Sequence, residues 1–153
     1  MNEVKFLIDQ IKTTFNGDSW HGPSLMRNLK GVTKEEAMER PLGERHTIWE
    51  LVDHMTFWLN EVNKTLKGEA MTTPSSVKDW PPMGKTEEQW EKSVKDLEFA
   101  VNTLVEQLDQ WNNEMLERTV PGAKYNFRQM LHGALHHNLY HSGQIAILRR
   151  KVS

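Results

Sequence analysis

Cysteine is absent from this 153-residue chain. That excludes disulfides, thiolate metal sites, iron–sulfur clusters and a protein thiol as nucleophile, so any thiol chemistry must draw on an external thiol. Long apolar runs are missing as well: none approaches the ~20 residues needed to cross a bilayer. The start, Met1-Asn2-Glu3-Val4-Lys5, carries an acidic residue and no extended apolar segment. A soluble cytoplasmic protein with no membrane partner is expected. Charge of one sign is not in surplus either, the net charge being −2 with both signs interspersed. No broad basic field is available to a polyanionic backbone, so no nucleic-acid partner is expected. Strand patterning and internal repeats are also lacking. What is present is length enough for one domain, read as residues 1–153, and helical periodicity.

Between Asn2 and Phe15 the residues Val4, Leu7, Ile8, Ile11 and Phe15 recur at helical spacing and stop at Asn16-Gly17-Asp18. Ser19-Trp20-His21-Gly22-Pro23-Ser24 breaks the pattern before Leu25, Met26 and Leu29 resume it. Thr33-Lys34-Glu35-Glu36 and Thr47-Ile48-Trp49-Glu50 have the form of capping boxes, the second opening a helix to about Lys67-Gly68. Gly68 to Lys85, with Pro74, Pro81 and Pro82, reads as a long loop without an element of its own, of the kind that covers or rims a site. Thr86-Glu87-Glu88-Gln89 caps a helix whose seam, Trp90, Val94, Leu97, Val101, Leu104, Leu108 and Trp111, is purely structural. Asn126 with Gln129 caps a last helix to Arg150, where Arg149, Arg150 and Lys151 complement the exposed carbonyls of its C-terminus. The expected fold is all-α, a four-helix bundle with long connections.

The inward seam of that last helix runs Phe127, Met130, Ala134, His137, His141, Gln144, Leu148. Its ends are apolar and its middle is two imidazoles and an amide, which need partners if buried. His137 and His141, four apart, stack on one helix face, the spacing by which one helix gives two ligands to one metal. His54 sits at the edge of another helix's apolar face, after Leu51 and before Trp58. Three imidazoles from two helices would bind one divalent ion and leave positions open. His132 and His136 form a second pair, turned roughly 140° away at ~100° per residue, and read as a solvated face or an interhelical hydrogen bond. His46 reads as a turn residue. Glu50 and Glu61 project near His54 and are candidate proton acceptors. Gln144 is a candidate hydrogen-bond partner of a ligand histidine, and Tyr140 and Trp58 are candidate pocket walls. His21 and Trp20, in the break after the first helix, are further candidates for the site.

Leu51-Val-Asp-His54-Met-Thr-Phe-Trp58 together with His137-Asn-Leu-Tyr-His141-Ser-Gly-Gln144-Ile resembles the DinB/YfiT-like superfamily of metal-binding four-helix bundles, and Trp20-His-Gly-Pro-Ser-Leu25 is similar to a stretch found in some members. The resemblance implies that His54, His137 and His141 form a triad for nickel, zinc or a similar divalent ion. It also implies activity as a thiol transferase or thiol-dependent isomerase using a low-molecular-weight thiol, or as a metal-dependent hydrolase, and a homodimeric state.

Three neutral imidazoles leave the ion's positive charge in place, which favours deprotonating a thiol or a water near neutral pH. That chemistry serves two reactions, and the resemblance puts first the transfer of an external thiol, bacillithiol-like, to an electrophile. Hydrolysis by metal-activated water, with Glu50 or Glu61 as proton acceptor, is the alternative. A non-catalytic metal- or small-ligand-binding protein of the stress response is the third.

Overall fold

The computed structural model describes residues 1–152, and side chains as far as Arg149. Its elements, all helical, are α1 (Glu3–Asn16), α2 (Leu25–Leu29), α3 (Lys34–Met38), α4 (Ile48–Leu66), α5 (Ser76–Asp79), α6 (Glu87–Leu108), a 3-10 turn (Asn113–Glu117) and α7 (Phe127–Val152). The starts of the helices follow from local chemistry. Thr33, Thr47 and Thr86 each accept from the backbone N–H three residues on, while Glu36, Glu50 and Gln89 return a side-chain bond to the cap's own N–H. Asn126 and Gln129 make the same reciprocal pair ahead of α7, at 3.1 and 3.0 Å.

The four long helices form the bundle: α4 packs on α6 and α7, and α1 closes the ring by packing on the same two. Their buried faces follow the apolar periodicity. Val4, Leu7, Ile8 and Ile11 of α1 meet Leu97, Val101 and Leu104 of α6 and Leu131, Leu135 and Ile145 of α7 in one core with Leu51, Val52, Met55 and Leu59 of α4. The buried Asn63 is paired within this core: its amide donates to Ala100 O at 2.9 Å and accepts from Gln107 at 2.9 Å.

One expectation is corrected. The stretch from Gly68 to Lys85 contains α5, a single turn too short to carry a periodic pattern. Its end is set by Pro81, because the residue before a proline is excluded from the helical region; Trp80 accordingly has φ −127° and ψ 79°. Arg149 also serves a neighbouring helix. Its guanidinium donates to Arg27 O and Asn28 O at 2.8 Å each and to Lys30 O at 2.6 Å, capping the carbonyl end of α2. Arg150 and Lys151, expected to finish α7, lie outside the described side chains.

Candidate metal centre

The α4 capping box fixes where that helix begins, and seven residues in, His54 reaches the α4/α7 interface with 5% of its surface exposed. His141 is equally buried at 6%, and His137, one turn earlier on α7, is half-buried. The Nε2 atoms converge: His137 Nε2 lies 3.0 Å from His54 Nε2 and 3.1 Å from His141 Nε2. The three ligand atoms form the one group of this kind among the described residues, and no carboxylate belongs to it.

The far sides of the rings decide what those nitrogens can do. α5 ends at Asp79, and the last carbonyls of a helix have no partner within it. Asp79 O is therefore free to accept from His54 Nδ1, at 2.8 Å. His141 Nδ1 donates to Gln144 Oε1 at 2.6 Å. In a neutral imidazole a proton on Nδ1 leaves a lone pair on Nε2. Two lone pairs thus aim at His137 Nε2, which has at most one proton to offer both. A shared cation resolves the conflict, and the spacing suits one. Imidazole nitrogens bound at about 2.0–2.1 Å to a common ion stand roughly 3–3.5 Å apart. Burial, and then the neighbouring His141 and His54, push the His137 pKa down to about 4. Burial likewise lowers that of His141. Both rings are thus held in the neutral form that ligates.

A second layer fixes His54. Its ring stacks on Trp80 with centroids 3.8 Å apart and planes 5° from parallel, and His46 stacks on the opposite face of the indole at 3.5 Å and 3°. Asp79 Oδ1 stands 3.1 Å from His54 Nδ1 and accepts from Trp58 Nε1 at 2.7 Å. Carboxylates and carbonyls in this position orient metal-ligating histidines and raise their basicity. Of these residues only Trp58 was picked out for the site from the sequence. By its sequence context His46 is a turn residue, and Asp79 and Trp80 lie in the stretch whose composition reads as a long loop that covers or rims a site. The available signal was a Trp-Pro-Pro run inside a connection expected to rim the site.

The remaining candidates fall elsewhere or on the margin. Gln144 bonds His141, and Trp58, besides its bond to Asp79, meets the His137 ring edge-on at 6.4 Å. Tyr140 is 66% exposed and touches the His141 ring from outside, at 5.1 Å. Glu50 is engaged by Thr47 N–H at 2.8 Å and Arg40 Nη2 at 2.6 Å. Burial pushes its pKa up, but the bonds from Arg40 and Thr47 outweigh this and hold it below the usual value. Glu61 pairs with Lys64 at 2.7 Å. Trp20 and His21 are displayed on an exposed turn, closed by a bond from Gly22 N–H to Ser19 O at 3.3 Å, with the Trp20 side chain fully in solvent. Gly22, at φ 125°, takes in that turn a conformation that side-chain-bearing residues rarely adopt. His136 is exposed and His132 makes an interhelical contact to Glu3 at 3.2 Å, as the spacing predicted.

Beside the triad, a cavity of about 540 Å³ lies between α4 and α7 and reaches Trp58 and His137. A helical bundle that turns three imidazoles from two facing helices onto one point, next to an open cavity, is of the class whose facing helices could hold a metal ion between them. The chain belongs to the DinB superfamily, whose sequence profile matches residues 21–145. Comparisons with curated proteins and with solved structures give no match.

Proposed function

We propose that this protein is a divalent-metal-dependent transferase that joins a low-molecular-weight thiol to a small electrophile at the His54/His137/His141 site, with nickel or zinc as the ion. The observation that carries this reading is the absence of any carboxylate from the gathered ligand group, beside a cavity that is open and uncharged. Hydrolysis needs a base to take the proton of the attacking water, and the two carboxylates considered for that role are held by Arg40 and Lys64. Thiol transfer needs no such base, because a thiol titrates close to neutral pH.

When bound, a divalent ion supplies positive charge that lowers the pKa of a thiol brought to it. The chain's own residues do the rest. His54, His137 and His141 present neutral Nε2 atoms, while Asp79 O and Gln144 Oε1 hold the tautomers that make this possible. The Trp80 indole shields one face of His54 from water. In the reaction the thiol sulfur forms a bond to the electrophilic carbon and the leaving group departs with the bonding pair. The thiol proton passes to solvent, so no oxidant or reductant is involved.

The test is turnover of 1-chloro-2,4-dinitrobenzene with a panel of thiols including bacillithiol, cysteine and coenzyme A, using protein loaded with nickel or zinc. Faster product formation than with the chelator-treated protein and with His54→Ala is expected. Equal rates in all three would overturn the transferase reading, and metal-dependent turnover of an ester or amide panel instead would replace it with hydrolysis.

A further inference from the structure

The cavity between α4 and α7 has a composition that the triad alone does not require. It is lined by eleven residues, and none is Asp, Glu, Lys or Arg. Leu59 and Val62 of α4 face Met130 and Ala134 of α7 as apolar walls, and the polar lining includes the neutral amides of Gln129 and Asn138. In a chain where 26% of residues are charged, an uncharged opening of about 540 Å³ is selective for its contents. A charged body lying along these walls would give up part of its hydration and meet no charged side chain, which costs free energy. An apolar one would gain the transfer free energy of each buried group.

The cavity is also preformed. Its lining includes Met71 from the α4–α6 connection and Tyr125 from the connection before α7. These two connections are tied together, Met71 N–H donating to Pro121 O at 2.8 Å. The close approach depends on Gly122, where a Cβ would meet Met71 O at 3.0 Å and Ala70 Cβ at 3.2 Å, in a backbone with φ 76°. At the opposite end stands His137, whose Nε2 turns into the triad. Between them the α7 backbone is bare at Gly133, since a Cβ built there meets nothing within 4 Å.

We infer that this cavity binds the apolar body of an uncharged substrate, which lies along the α4/α7 groove with its reactive end at His137 and with Gln129 and Asn138 as neutral hydrogen-bonding partners. The inference rests on the proposed reaction for the identity of this substrate as the electrophile. It adds the class: neutral and largely apolar, aromatic or aliphatic, in place of carboxylates, phosphates or nucleotides. The volume falls within the range of small-molecule sites.

The test compares two fluorescent probes that share a ring frame and differ in charge, N-phenyl-1-naphthylamine and 8-anilinonaphthalene-1-sulfonate, titrated against the full chain. The neutral probe should saturate and bind at least about tenfold more tightly than the anionic one. Gly133→Phe, which projects a ring into the open space, should weaken the neutral probe at least about tenfold, with Gly133→Leu intermediate. Gly143→Phe, on the same helix but outside the cavity, should leave its affinity unchanged. Thermal melts and metal content are measured on each variant, so a misfolded one is recognised and Gly133→Leu then carries the comparison. Equal or tighter binding of the sulfonate, or neutral-probe binding indifferent to both Gly133 substitutions, would overturn the inference. Probe binding needs no bound ion and no turnover, so a protein that binds the neutral probe yet transfers no thiol defeats the proposed reaction and leaves the cavity assignment standing.

Discussion

The imidazole of His54 lies face to face on the indole of Trp80, 3.8 Å between centroids and 5° from parallel. A ligand ring held this way cannot turn about its own χ2 without losing the stack, so Trp80 restricts the direction in which His54 presents Nε2. Trp80→Ala should therefore weaken metal binding by about 10–100-fold while the fold is kept. Trp80→Phe, which preserves a flat apolar face, should recover most of that loss. Competition against a chelator of known affinity measures both. An alanine variant with unchanged affinity would show that the stack is packing alone.

Single replacement of His54, His137 or His141 by Ala should remove most of the bound metal, as read by elemental analysis of protein purified without an affinity tag. His132→Ala and His136→Ala should keep it. The former gives up the 3.2 Å contact to Glu3, a partly exposed pair worth at most about 1 kcal/mol. Metal retained in all five variants would place the ion elsewhere.

The metal-free protein should lose stability as the solution is acidified. Burial, followed by the charges of His141 and His54, depresses the His137 pKa from 6.5 to about 4. The unfolded chain therefore takes up a proton below pH 6.5 that the folded chain refuses until about pH 4. This contribution is intact above 6.5 and is lost progressively between those limits, by up to about 3 kcal/mol, and His141 adds in the same direction. Urea midpoints at pH 7.5 and 5 in the presence of chelator measure the effect, which should shrink in His137→Gln.

Asp53 should act in the opposite sense. Burial, with a smaller push from Asp96, raises its carboxyl to about 6 against the bonds from Ser93 and Trp49. Its folded form prefers the proton, so the favourable linkage is complete below about 3.8 and disappears as pH rises through 6. Asp53→Asn should accordingly be more stable than the parent above pH 6, by about 1–3 kcal/mol, with the gap closing towards pH 4. The acid-dependence of the triad is best read in that background.

Arg149→Met should destabilise the fold by about 1–3 kcal/mol, since charge-assisted bonds to three carbonyls of the α2 end are lost at once. Lysine should not restore it, because an ammonium cannot span Arg27 O, Asn28 O and Lys30 O as a planar fork does. Chemical denaturation decides between the two.

The four long helices and the triad were legible from the sequence because both are written in spacing. Thr47 with Glu50 sets the start of α4, the start sets the phase of His54, and four residues separate His137 from His141 on α7. What supports the triad was not legible. Asp79 contributes a backbone carbonyl, which any residue possesses, and it is available only because Pro81 halts a one-turn helix that has no periodicity to detect. Trp80 meets His54 and His46 through contacts between segments far apart in the chain. Arg149 illustrates the same limit: its position near a helix end was plain, but its bonds to the end of α2 were not. Trp20 drew attention as an aromatic in a break, yet the Ser19–Gly22 turn displays it outward.

The stacked column of His46, Trp80 and His54 has an optical consequence. Indole emission responds to the charge and electron demand of whatever lies against its faces, and here a ligand imidazole lies against one of them. Trp80 is thus an internal fluorophore wired to the centre. Loading the triad with an ion, or protonating it, should change the emission of this indole without any added label.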